Sequence, residues 1–194
     1  EACGNGHVDV VQLLLARIDI KINQADQNGI TPLSAASTVG SKDIVQLLLA
    51  KKEIQINQAM DSGATSLCVA CMLGHVDLVK VLLARKEIQI NQAANTGATP
   101  LLVACLQGHV KVVNALLTKK EIQINQGDKD GYTPLNIGCH QGRVKVVIAL
   151  LARKEIQINQ AATNGVTPLL MACQQGHVKV VNLLLARKEI QINQ

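Results

Sequence analysis

The segment Lys-Glu-Ile-Gln-Ile-Asn-Gln occurs at residues 52–58, 86–92, 120–126, 154–160 and 188–194, always 34 residues apart. A second segment keeps the same step. Gly-Ile-Thr-Pro-Leu at 29–33 returns, with one or two changes, at 63–67, 97–101, 131–135 and 165–169. A fixed period of this length makes the chain an array of one supersecondary unit, which constrains the fold more than any other feature. Complete units run 25–58, 59–92, 93–126, 127–160 and 161–194, and residues 1–24 are the last part of a further one.

Each unit reads as two short helices and an extended turn. Thr99 followed by Pro100 is a helix start: the hydroxyl caps free backbone N–H groups, and proline suits the first helical position. The helix continues through Leu-Leu-Val-Ala-Cys-Leu-Gln and stops at Gly108, a residue suited to left-handed geometry. A second helix over 110–120 carries Val110, Val113, Leu116 and Leu117 at helical spacing. The following Ile-Gln-Ile-Asn alternates apolar and polar residues, the period of a strand. Such a unit cannot bury its apolar faces alone and must stack on its neighbours, which gives a solenoid. Hydrophobic residues make up 48% of the chain and aromatics 1%, so the core is built from small aliphatic side chains. The longest apolar run, Val146–Ala152, falls far short of the roughly 18 residues a membrane helix needs, so no membrane partner is expected. No basic-apolar leader opens the chain.

A period of 34 also suits tetratricopeptide repeats, but those use a Trp, Leu-Gly and Tyr pattern, and here Trp is absent and Tyr132 is the one aromatic residue. Asp-Lys-Asp-Gly-Tyr-Thr-Pro-Leu at 128–135 and Ala-Cys-Leu-Gln-Gly-His-Val-Lys-Val-Val-Asn-Ala-Leu-Leu at 104–117 instead resemble ankyrin repeats, and the resemblance covers essentially the whole chain. It implies an all-α repeat solenoid: stacked helix-turn-helix units joined by extended β-hairpin-like turns. It departs from the family where a histidine commonly follows Thr-Pro-Leu. Ser34, Cys68, Leu102, Asn136 and Leu170 stand there, so weaker loop cross-links are expected. Ser66 replaces proline, and Arg143 replaces the Gly-His histidine.

The stretch Cys-Val-Ala-Cys-Met-Leu-Gly-His at 68–75 has the look of a zinc or redox site. Aligned by unit, however, Cys3, Cys71, Cys105, Cys139 and Cys173 share one column, with Ser37 in the remaining place. Such a column in ankyrin-like sequences holds a small buried residue. Stacked helices lie about 8–10 Å apart, whereas a disulfide needs Cα atoms within about 7 Å, so column neighbours are not expected to bridge. Cys68 belongs to another column, expected to face outward. The histidine four residues after each cysteine, as in Cys71 and His75, is separated from it by a helix-ending glycine, and no set of four converging ligands results. Neither metal nor cofactor is expected. Free thiols in such number point to a cytoplasmic or other reducing compartment.

No phosphate-binding, dinucleotide or nucleophile-elbow motif occurs. Asp9, Asp43 and Asp77 share a column too widely spaced for acid–base work, so no enzyme is expected in this chain. Charge is unevenly spread: the units carry −1, 0, 0, +2, +2 and +2 from residue 1 onward. The column of Asp9, Asp43 and Asp77 switches to Lys111, Lys145 and Lys179, and basic pairs such as Lys119–Lys120 follow the second helix of every complete unit, where cations suit the helix dipole. An acidic protein partner and a nucleic acid both fit such charge; missing aromatics and a glutamate beside each basic pair count against nucleic acid.

The resemblance implies a platform for a protein partner, bound through turn tips and the concave face of the first helices; a structural spacer is the alternative. The columns at those places vary between units, whereas Lys-Glu-Ile-Gln-Ile-Asn-Gln hardly does. Candidate contacts centre on 127–160, the unit least like its siblings: Lys129, Asp130, Tyr132, Asn136, His140, Gln141 and Arg143. Met72, Leu106, Gln107 and Gln174 flank them. Asn57, Asn91, Asn125 and Asn159 resemble family targets of asparaginyl hydroxylation, but turn asparagines bonding backbone is the stronger reading. Apolar residues in the terminal units, with no polar outer face, predict frayed ends over 1–24 and 180–194 and end-to-end self-association, as in a piece of a longer array. Thiol titration under denaturant is expected to count all six cysteines, and metal analysis to find no stoichiometric zinc; one tightly held zinc per chain overturns the packing account.

Overall fold

The computed structural model describes residues 1–192; Asn193 and Gln194, which end the last Lys-Glu-Ile-Gln-Ile-Asn-Gln segment and the 161–194 unit, lie outside the described residues. Two sets of helices alternate along the chain. The first helices of the units are α2 (Pro32–Val39), α4 (Ser66–Leu73), α6 (Pro100–Gln107), α8 (Pro134–His140) and α10 (Pro168–Gln174). The second helices are α1 (Val8–Leu15), α3 (Lys42–Leu49), α5 (Val76–Leu83), α7 (Val110–Leu117), α9 (Val144–Leu151) and α11 (Val178–Leu185). None of these helices, the only ones among the described residues, is long and apolar enough to cross a membrane.

Thr31, Thr65, Thr99, Thr133 and Thr167 each accept a hydrogen bond from the backbone N–H three residues on, so every first helix starts on a threonine cap. Gly40, Gly74 and Gly108 end α2, α4 and α6 in left-handed conformation. Helices of seven or eight residues are too short to stand alone in water, where about 12–15 residues are already marginal. Their stability comes from stacking. First helices pack on first helices (α2 on α4, α4 on α6, α6 on α8, α8 on α10), and second helices pack on second helices from α1 through α11. Leu48, in the interior, is 1% exposed, whereas its counterpart Leu14 in the first unit is 40% exposed. At the other end Leu185 is 44% exposed against 5% for Leu151. The same side chain is core or surface according to whether a neighbouring unit lies against it.

Two expectations are corrected. The second helix of 93–126 stops at Leu117 rather than running to Lys120, because Lys119 N–H bonds the Leu116 carbonyl and Ile122 N–H the Lys119 carbonyl, a pair of tight turns. The Ile-Gln-Ile-Asn segments are consecutive turns as well, and no strand occurs among the described residues. Their alternation is real in side-chain terms, since Ile56 is buried, Ile54 half-buried and Gln55 exposed. Yet the Gln55 N–H goes to the Asn23 side chain, so no ladder forms with a second strand.

Ser66 marks the one first helix that lacks proline at its first position, and its hydroxyl is buried without a hydrogen-bond partner. Thr65 already has the extended backbone that a residue before proline requires (φ −92°, ψ 168°). Ser66→Pro is expected to stabilise the protein by about 1 kcal/mol, read as a higher urea midpoint; a lower midpoint contradicts this view of the helix start.

Candidate partner-binding surface

The near-invariant asparagine of each Ile-Gln-Ile-Asn segment is a bridge between units. Asn57 Nδ2 donates to the Glu87 carbonyl at 2.7 Å, while its Oδ1 accepts the Gln89 N–H at 2.9 Å. Asn23, Asn91, Asn125 and Asn159 repeat both bonds one unit apart each time. This is the backbone-bonding reading of these residues, and it explains why the segment hardly varies.

A second ladder joins the turn tips. Asp61 N–H donates to the Asn28 carbonyl at 3.2 Å, Asn95 to Ser62 at 2.9 Å, Lys129 to Thr96 at 3.1 Å and Thr163 to Asp130 at 2.9 Å. Backbones come so close there that a Cβ on Gly97, itself at φ +84°, would lie 2.5 Å from the Lys129 nitrogen. Only glycine fits. The asparagine and tip ladders thus cross-link the loops where no histidine follows Thr-Pro-Leu.

A third ladder runs along the turns between first and second helices. His75, His109 and His177 donate from Nε2 to the carbonyls of Thr38, Met72 and His140 at 3.3, 3.1 and 2.8 Å. Arg143, in the same column, reaches the Leu106 carbonyl through Nη2 at 3.3 Å. The arginine keeps the framework bond while carrying a permanent charge. Basic residues after the second helices also bridge units: Lys51 Nζ donates to the Leu15 carbonyl at 2.7 Å, and Arg153 does the same to Leu117. Sequence reasoning placed such cations on their own helix end; they cap the end of the preceding one.

The candidate contacts separate into two groups. Lys129 and Asp130 are exposed at the tip. Tyr132 is half-buried against the core, and its hydroxyl accepts from Asn164 Nδ2 at 2.9 Å. At the far end of the first helices, Met72, Leu106, His140 and Gln174 occupy one register; Met72 and Gln174 are exposed, Leu106 and His140 half-buried. Gln107 is exposed beside them, and Gln141 donates to His140 Nδ1 at 3.1 Å. The length of α8, about 10 Å at 1.5 Å per residue, separates the groups.

Asn136 is corrected as a contact. It is wholly buried, closes a capping box with Thr133 and donates to the Val166 carbonyl of the following turn at 3.3 Å. Cys68, in the same column, is corrected too: it faces inward, and burial pushes its thiol up to about 11. The following unit covers this column, for Ser34, Cys68, Leu102 and Asn136 are all buried, while Leu170, at the end of the array, is 39% exposed. Cys71, Cys105 and Cys139 are buried as a small-residue column, with burial raising each thiol, Cys139 to about 12. Among the described residues no three of His, Cys, Asp or Glu converge on a point where a metal ion would sit.

A family model described as ankyrin repeats matches residues 1–60, 54–128 and 123–194, which together span the chain. The chain belongs to the ankyrin repeat family. A search of curated proteins found no match.

Each asparagine bridge satisfies one donor and one acceptor of the next unit. Asn91→Ala is expected to cost about 2 kcal/mol in urea unfolding, two hydrogen bonds at about 1 kcal/mol each, and Asn91→Asp, which keeps the acceptor, less. A loss below about 0.5 kcal/mol, under the usual worth of one bond, contradicts the bridging role.

Proposed function

We propose that this array is a non-catalytic platform that binds a protein partner through its turn tips and the exposed ends of its first helices, centred on 127–160. Ankyrin repeats are generally protein–protein interaction modules, and proteins built from them are generally non-enzymatic scaffolds. One observation carries the reading for this chain. The uniform residues, Asn57 and its counterparts above all, spend their polar groups on the ladders between units, whereas the variable column is exposed at Thr38, Met72 and Gln174 and half-buried at Leu106 and His140. A spacer has no use for such a division, because it needs the frame and not the variation.

Within this reading Lys129, Asp130 and Tyr132 form one edge of the contact surface, and Met72, Leu106, Gln107, His140, Gln141, Arg143 and Gln174 form the other. Tyr132 is the one aromatic side chain at the tips, held in place by Asn164, and binding hot spots are enriched in tyrosine and arginine. Six free thiols, four of them buried, with Cys3 half-buried and Cys173 exposed, suit a reducing intracellular compartment.

The test is affinity capture with the full chain as bait, followed by titration of the captured protein. Tyr132→Ala is expected to weaken binding by about 2 kcal/mol, the usual hot-spot threshold, and Tyr132→Phe by less. Lys86→Ala, on the uniform segment, is expected to leave affinity nearly unchanged. A larger loss from Lys86→Ala than from Tyr132→Ala overturns the assignment of the surface.

A further inference from the structure

The six second helices split into two sets at one position of their first turn. The second helical position is Asp9, Asp43 and Asp77 in α1, α3 and α5, and Lys111, Lys145 and Lys179 in α7, α9 and α11; all six side chains are exposed. An aspartate there complements the positive end of the helix dipole, and a lysine opposes it. Folding therefore favours the first choice, and the second calls for another reason.

The three lysines are also unpaired. The ion pairs among the described residues join Arg17 to Asp19, Lys80 to Asp77, Arg85 to Glu87, Arg153 to Glu155 and Arg187 to Glu189. Of the basic residues that follow the second helices, the arginines are neutralised by a nearby carboxylate, and Lys51 and Arg153 reach framework carbonyls. The remaining lysines of the basic pairs stand one or two residues before a glutamate in sequence, whereas Lys111, Lys145 and Lys179 enter none of these ion pairs. Arg143 joins them on the same edge, where it bonds the Leu106 carbonyl through one nitrogen and stays exposed. Between residues 105 and 115, 139 and 149, and 173 and 183, the stretches that build this edge, no Asp or Glu occurs. The starts of α7, α9 and α11 carry no side-chain cap. Cations and helix starts add there to one positive strip.

Spacing narrows the partner. Helices packed side by side lie about 8–10 Å apart, so successive lysines recur at about that interval. A polyproline II segment turns once in three residues and advances about 9.3 Å per turn, so that every third side chain meets the same surface. A β-strand returns to one face every ~6.6 Å and falls out of step. Single-stranded nucleic acid is bound by charge together with aromatic stacking platforms, and Tyr132 lies at the opposite end of α8 with its hydroxyl engaged by Asn164.

We propose that Lys111, Arg143, Lys145 and Lys179 form a docking strip for an extended acidic segment of a protein partner, with a carboxylate at every third residue. The proposal rests on the protein-binding reading above and names the partner's chemistry.

Fluorescence anisotropy with the full chain tests it. The probes are a labelled peptide of Glu-Pro-Pro triplets, a peptide of the same composition with its glutamates in one block, and a single-stranded oligonucleotide of equal charge. The triplet peptide is expected to bind best and to weaken as salt is raised through screening. The variant Lys111→Asp/Lys145→Asp/Lys179→Asp is expected to weaken it at least about tenfold. That variant is expected to fold, because α1, α3 and α5 already carry aspartate at the position. Equal affinity of variant and native chain, equal binding of the block peptide, or tighter binding of the oligonucleotide each overturns the proposal. If the triplet peptide fails to bind while Tyr132→Ala still weakens a captured partner, the charge reading falls and the platform reading stands.

Discussion

The structure depends on hydrogen bonds that each unit borrows from the next. A turn such as 87–92 has polar backbone groups that its own short helices do not satisfy, and the Asn57 side chain from the unit before takes up one donor and one acceptor of them. The tips and the His/Arg column repeat the arrangement at two other places on the unit. Apolar burial obeys the same rule, as the contrast between Leu14 and Leu48 shows. Stability in such an array is a sum of neighbour terms, with few contacts between units further apart. Short helices, which are unstable alone, become a rigid frame.

That frame leaves surface to specialise. Asparagines and glycines held by the ladders have little freedom to change, while the ends of the first helices and the second position of the second helices do. The chain uses this freedom unevenly. Its first three units keep aspartate where helix electrostatics favour it, and its last three place lysine there. Arg143 goes further, since it replaces a histidine, keeps the bond to Leu106 and adds a charge. Framework and surface are thus separable even within one side chain.

Much of this was legible in the sequence. The 34-residue step, threonine caps and left-handed glycines located the first helices closely, because those signals act within a few residues of chain. What failed depends on residues about 30 positions away. Cys68 and Asn136 look outward on an isolated helix, and only the turn of the following unit buries them. The Ile-Gln-Ile-Asn alternation suggested a strand, because periodicity reports which side chains are buried and says nothing of where the backbone N–H groups go. Variation between columns marked exposure only in part: Met72 and Gln174 are exposed, but Leu106, His140 and Tyr132 are half-buried.

The central claim is that turns with exposed side chains are held by the neighbouring unit's asparagines. Amide hydrogen exchange at Gln55, Gln89, Gln123 and Gln157 reads it directly, since each N–H donates to an asparagine Oδ1 while the glutamine side chain stands in solvent. Protection comparable to that of the second-helix amides is the result this account requires, and exchange as fast as in an unstructured loop would contradict it.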